Sequence, residues 1–186
     1  MTVVGLTGTR GVGKSSVADI MVAEHGFTKI HSFGPGKAMT MAYFMHLGMD
    51  QETAFRSTYG DLKDTKHPLI PGDGLPRTFM EELGKFMGTQ LGPEYTLGAE
   101  ISRAKRVDPD AKLVIESVVY EAPLLKTLGG YLMRIIRSKA EGVIEGKHTD
   151  EAVDSIRADG YLFNESDSKE ALSVQVQGML TEMGVM

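Results

Sequence analysis

The 186-residue chain contains no cysteine. That excludes a disulfide framework and any cysteine-based metal site. It also lacks the run of roughly 18 or more apolar residues that a membrane-spanning helix needs. The N-terminus has no basic segment followed by a long apolar stretch and enters a core strand at once, so no signal peptide is expected. An excess of basic residues is missing too: Lys plus Arg is 20 against 25 for Asp plus Glu, a formal charge of −5. This balance argues against broad nucleic-acid binding, although it leaves room for a local basic groove. Internal repeats, low-complexity tracts and linker-like segments are absent. Residues 1–186 therefore read as one domain of ordinary apolar content, long enough for a sizeable core.

What is present begins at the N-terminus. Gly8-Thr9-Arg10-Gly11-Val12-Gly13-Lys14-Ser15 fills every fixed position of G-x-x-x-x-G-K-[ST]. Thr2 to Thr7 before it reads as a buried strand. Ser16 to His25 after it reads as a helix, with Val17, Ile20 and Met21 at helical spacing and Gly26 at its end. In that context the glycines let successive amides curl around an anion, and the helix N-terminus adds unpaired N–H groups. Gly8, Thr9, Arg10, Gly11, Val12, Gly13, Lys14, Ser15 and Ser16 form the expected ATP cradle. Lys14 would reach the β- and γ-phosphates, and the Ser15 hydroxyl would hold magnesium. A reducing, ATP- and magnesium-rich compartment, the cytoplasm, is the expected setting.

Further along, Phe27 to Phe33 reads as a strand ended by Gly34-Pro35-Gly36. Lys37 to Leu47 reads as a helix apolar nearly all round and hence buried on most sides. The signal weakens from Asp50 to Pro76, where His67 to Pro76 holds three prolines and two glycines and reads as a loop. Arg77 opens a helix with Phe79, Leu83, Phe86 and Met87 on one face, and Pro93 to Arg106 is a further helical stretch. Lys112 to Val119 is a strand, Glu121 to Leu128 a helix, and Tyr131 to Ile136 a strand. Ser138 to His148 is a polar loop, Thr149 to Arg157 a short helix, Gly160 to Phe163 a strand, and Ser168 caps a last helix. This alternation predicts an α/β fold: a five-stranded parallel sheet with helices on both faces. Ligands of such sheets gather beyond the strand C-termini. Gly8 to Ser15, Lys37, Glu116 and Arg137 all fall there. Arg134 and Arg137 lie three apart on one strand and face opposite sides, so Arg137, at the strand end, is the better cleft candidate.

Taken in order, Gly34-Pro35-Gly36-Lys37, Arg77 to Gly84 with Gly88-Thr89-Gln90-Leu91-Gly92, and His148-Thr149-Asp150-Glu151 resemble landmarks of the phage-type deoxynucleoside monophosphate kinases. The resemblance spans most of the chain. It implies a nucleoside monophosphate kinase-like core with an acceptor-side helical and loop insertion at about 37–110. It implies ATP, magnesium and phosphoryl transfer to a nucleotide, in the host cytoplasm if the chain is phage-encoded. By position, Lys37 and Arg77 would hold the acceptor, and Arg137 would lie near the transferring phosphates. No membrane partner is implied, and a homodimer is left open.

One departure from the family keeps a second acceptor in view. Where the family shows Asp-x-Arg after the third strand, this chain reads Glu116-Ser117-Val118. A phosphate acceptor needs no general base, whereas a hydroxyl acceptor gains from a nearby carboxylate. Some related phage kinases phosphorylate 5-hydroxymethyluridine in DNA, with Glu116 here as the corresponding candidate base. Alternatively, Glu116 positions magnesium through water. A third reading is a nucleotide-binding switch, although the chain carries no Asn-Lys-x-Asp run.

Overall fold

The computed structural model describes residues 2–138, 149–165 and 168–186. Five strands, β1 (Val3–Thr7), β2 (Phe27–His31), β3 (Lys112–Glu116), β4 (Tyr131–Ile136) and β5 (Gly160–Phe163), form one sheet in the order β2-β3-β1-β4-β5. Every neighbouring pair is parallel, with Val4 opposite both Val114 of β3 and Tyr131 of β4. Parallel neighbours require crossovers, and the crossovers supply the covering helices.

Alternation along the strands divides the core in two. Val4 and Leu6, Val114, and Met133 and Ile135 face α1 (Lys14–His25) and α8 (Lys169–Glu182). Val3, Leu113 and Ile115, and Leu132 face α5 (Leu97–Val107) and α6 (Ala122–Thr127). The expected α/β sheet with helices on both faces is therefore present. β1 is buried at every position, as a central strand covered on both sides must be.

A third apolar cluster joins α2 (Gly34–His46), α3 (Gln51–Thr58) and α4 (Pro76–Phe86). Phe44, Met49, Ala54 and Ile70 form its centre, and Tyr43 stacks on Phe79 with ring centroids 4.8 Å apart. Between α3 and α4 lie a 3₁₀ turn at Asp61–Asp64 and the expected loop, closed by His67 N–H donating to Gly74 O at 2.9 Å. α7 (Thr149–Asp154) is shorter than the expected helix to Arg157. Among the described residues, no helix is long and apolar enough to cross a membrane.

Several boundaries differ from the sequence reading. Gly34-Pro35-Gly36 does not break the chain but forms the first turn of α2. Proline is well placed there, since its missing N–H would have had no helical partner. α2 is not buried on most sides: only Gly36, Thr40 and Phe44 are buried, while Met39 and Met45 are exposed. The strands expected to reach Phe33 and Val119 stop at His31 and Glu116, the latter where Ser117 turns to φ 61°. α1 starts at Lys14, two residues early. The helical stretch from Pro93 divides into a 3₁₀ turn at Pro93–Tyr95 and α5. On α4 the buried residues are Pro76 and Met80, whereas Phe86 is half exposed. The polar loop expected up to His148 lies outside the described residues from position 139 onward.

Candidate active site

Because the strands run parallel, their C-terminal ends share one edge of the sheet. β1 leads there into Gly8–Ser15. Gly8, Gly11 and Gly13 have φ of 138°, 80° and 97°, conformations that glycine adopts at little cost. At Gly8 a Cβ would also lie 2.4 Å from the Ile135 carbonyl oxygen, so β4 itself limits that position to glycine. Gly13 caps α1, whose first turn carries no acidic residue. The exposed amide ends of α1 and the glycine curve therefore suit a phosphate. Lys14 Nζ donates to Gly8 O and Thr9 O, both at 2.7 Å, and holds the loop closed on itself. The exposed Ser15 side chain stands beside it.

A cleft of about 270 Å³ opens between this loop and the α2–α4 layer. Arg10, Lys14, Lys37, Lys63, Arg77 and Lys85 line it, against the carboxylates of Glu81 and Glu121. Six cations face two carboxylates here, and even with Arg10 and Arg77 paired to Asp64 the cleft stays positive in a chain of net negative charge. Burial and neighbouring charge both act on the lysines. Burial, then the charge of Lys63, lowers Lys37 to about 8, with Glu116 opposing the shift. Lys63 is lowered as well, by burial and then by Arg77. Glu121 is pushed up by burial; it accepts hydrogen bonds from the Thr96 hydroxyl and Val119 N–H, both at 3.2 Å.

Asp64 ties the two sides of the cleft together. Its carboxylate accepts from Arg10 at 2.6 Å and from Arg77 at 2.5 and 2.8 Å. These arginines, Arg77 first, hold Asp64 down at about 2. The arginine of the loop and the arginine of α4 are thus fixed to one acid.

His31, at the end of β2, borders this cleft and a second cavity. Its Nδ1 accepts from Phe33 N–H at 3.1 Å, which leaves the other ring nitrogen to carry the proton of the neutral ring. Burial, then the charge of Lys37, lowers His31 to about 3, so it is neutral at ordinary pH.

The structure brings Gly8, Arg10, Lys14, Lys37 and Arg77 to the cleft. Glu116 stands one strand away, lining the second cavity with Lys37 and Tyr59. Its Oε1 is buried and has no hydrogen-bond partner among the described residues. Arg137 follows β4, two residues beyond the Ile135 carbonyl that underlies Gly8, and is not part of the cleft lining. Arg134 turns instead to an ion pair with Asp154. Among the described residues no group of three or more His, Asp or Glu side chains could form an all-protein metal site. A magnesium ion held by Ser15 would then depend on phosphate and water for most of its ligands, as magnesium commonly does.

Sequence reasoning missed Lys63, Asp64, His31 and Asn164. The first two lie in the stretch with the weakest periodicity, which carried no signal for them. Asn164 follows directly after the last residue of β5, and its position at a strand C-terminus was a usable signal.

No protein-family model matches the chain, and no curated protein does. Among solved structures, the chain is similar to the dephospho-CoA kinase from Campylobacter jejuni, at 14% identity and a TM-score of 0.48 over 97% of this chain and 96% of that one. It is also similar to TT1252 from Thermus thermophilus, at 16% identity and a TM-score of 0.47 over 97% of each chain.

Proposed function

We propose that this chain is an ATP-dependent phosphotransferase whose acceptor is a deoxynucleoside monophosphate. The observation that carries the reading is the charge of the cleft beside the glycine loop, where Lys37, Lys63, Arg77 and Lys85 join Arg10 and Lys14. A phosphate monoester brings close to two negative charges at neutral pH, and arginine and lysine are the usual means of holding them. Lys63 adds positive charge to the cleft, where the resembled family has an arginine after the third strand. The cleft volume of about 270 Å³ suits one small molecule. The net charge of −5 opposes a long contact with a nucleic-acid backbone.

ATP, when bound, supplies the activated γ-phosphoryl group. The backbone amides of residues 8–15 would hold its phosphates, and Ser15 would hold magnesium. Lys14, released from the Gly8 and Thr9 carbonyls, would neutralise charge that grows on the transferring group. Lys37, Lys63 and Arg77 hold and orient the acceptor phosphate, which is already nucleophilic and needs no base. Arg137, just past β4 and outside the cleft lining, would have to turn toward the loop to act on the phosphates.

One observation favours a second acceptor: the unpartnered Oε1 of Glu116. A carboxylate with spare accepting capacity is what a hydroxyl acceptor, such as 5-hydroxymethyluridine in DNA, would use. Labelled ATP offered with a panel of deoxynucleoside monophosphates, or with duplex DNA containing that base, separates the two. Label in the monophosphates supports the first reading, and label in the DNA alone overturns it. Binding of ATP with no acceptor phosphorylated would instead indicate a switch protein.

A further inference from the structure

The glycine loop is held from behind by a residue 152 positions away in the chain. Asn164, 3% exposed, follows β5, and its backbone N–H donates to Ile136 O at 2.8 Å, fixing it to the end of β4. Its side-chain Nδ2 donates to Val12 O, also at 2.8 Å. The same nitrogen lies 2.4 Å from where a Cβ of Gly13 would stand, so the amide packs directly on that glycine. Asn164 therefore touches both halves of a single peptide, Val12–Gly13, immediately before Lys14.

A trans peptide is planar, and its C=O and N–H point in opposite directions. A carbonyl drawn back toward Asn164 sends the Gly13 N–H away from it. We propose that Asn164 is a positioning residue that sets the plane of the Val12–Gly13 peptide and so aims the Gly13 N–H at a phosphate in the loop. This rests on the phosphate-binding reading of the loop. The side chain suits the task because it donates while carrying no charge. An aspartate of the same shape would oppose both the Val12 carbonyl and an incoming phosphate. Left-handed Gly13, at φ 97°, is the other half of the arrangement: it accepts the imposed peptide orientation and leaves room for the amide.

The test compares full-length wild type, Asn164→Ala and Asn164→Asp. Hydrogen exchange across residues 11–15 is followed without nucleotide. Binding of ATP, of inorganic pyrophosphate and of a deoxynucleoside monophosphate is measured separately, with thermal midpoints alongside. Asn164→Ala is expected to speed exchange in the loop and to weaken ATP and pyrophosphate by about tenfold or more, the loss of one buried hydrogen bond to a phosphate-binding peptide. Asn164→Asp should weaken both further, and monophosphate binding should stay within about twofold. Loop exchange at the wild-type rate, or ATP affinity within twofold of wild type in a folded variant, overturns the proposal. So does an equal loss of ATP and monophosphate, which marks general damage. Should Asn164→Ala fail to fold, Asn164→Ser keeps a small polar side chain in the pocket and carries the same comparison. Wild-type protein that binds no ATP defeats the proposed function, and the exchange comparison then decides on Asn164 by itself.

Discussion

Residues 8–15 are shaped mainly by the backbone of β4, by glycine and by one buried neutral amide, whereas on the facing wall Arg77 is held by a partly exposed ion pair with Asp64, which also takes Arg10 from the loop. The first kind of support is stiff. Gly8 and Asn164 are buried at the edge of the sheet, held against backbone rather than against a mobile charge. The second kind is exchangeable, because a guanidinium that holds a carboxylate can hold a phosphate in the same bidentate manner. A stiff wall would suit the α- and β-phosphates, which stay bound while the γ-phosphoryl group is transferred. An exchangeable wall would suit an acceptor whose charge changes on phosphorylation.

The largest expected effect would break the comparison on the stiff side. Lys14→Ala should lower turnover by about a hundred- to a thousandfold, the usual range for one charge-stabilising donor, with an unchanged circular dichroism spectrum. Steady-state phosphoryl transfer checks it, and near-normal turnover in a folded variant would remove the loop from the chemistry.

On the exchangeable side, Arg77→Ala should cost about ten- to a hundredfold in kcat/KM for the acceptor, the scale of one charged hydrogen bond. KM for ATP should be nearly unchanged. Equal losses toward both substrates would show that the two walls do not divide the work.

A smaller effect sharpens the contrast through pH. Lys37 has a folded value of about 8, below its ordinary 10.5. Its charge is therefore present below pH 8 and lost above it, so kcat/KM for the acceptor should fall as pH rises through about 8. Lys37→Arg, charged throughout, should flatten that profile. A profile of wild-type shape in Lys37→Arg would show that another group titrates.

The smallest effect is expected at Asp64, because exposed ion pairs contribute little, roughly 0.2–1 kcal/mol each. Asp64→Asn should change KM for ATP and for the acceptor together, each by less than about fivefold, since it frees an arginine on either side. A change confined to one substrate in steady-state kinetics would mean that Asp64 does not join the walls.

The stiff wall was also the legible one. The spacing of Gly8, Gly13, Lys14 and Ser15 is dictated by backbone geometry, and backbone geometry leaves a fixed pattern in sequence. The strands were legible because a buried parallel sheet demands unbroken apolar runs such as Val3-Val4 and Leu113-Val114-Ile115. The start of α2 was not, since Pro35 has the same form in sequence whether it ends one element or opens the next. Lys63 and Asp64 were invisible for another reason. Their place in the cleft comes from packing of the 3₁₀ turn against α3 and α4, and a short turn of polar residues has no periodicity to read. Asn164 shows an intermediate case: its strand end was visible, but its contact with Val12 depends on β5 lying beside β4.

The span between Val12 and Asn164 also has a consequence in time. A ribosome that adds about 5–20 residues per second needs roughly 8–30 s to travel from one to the other. The growing chain carries the whole glycine motif early, yet β1 must wait for β3 and β4 on either side, and the Val12 carbonyl must wait for Asn164. A nucleotide that binds only the completed loop stabilises only the completed fold. On the proposed reading, ATP would therefore recognise a newborn molecule only after β5 has joined the sheet.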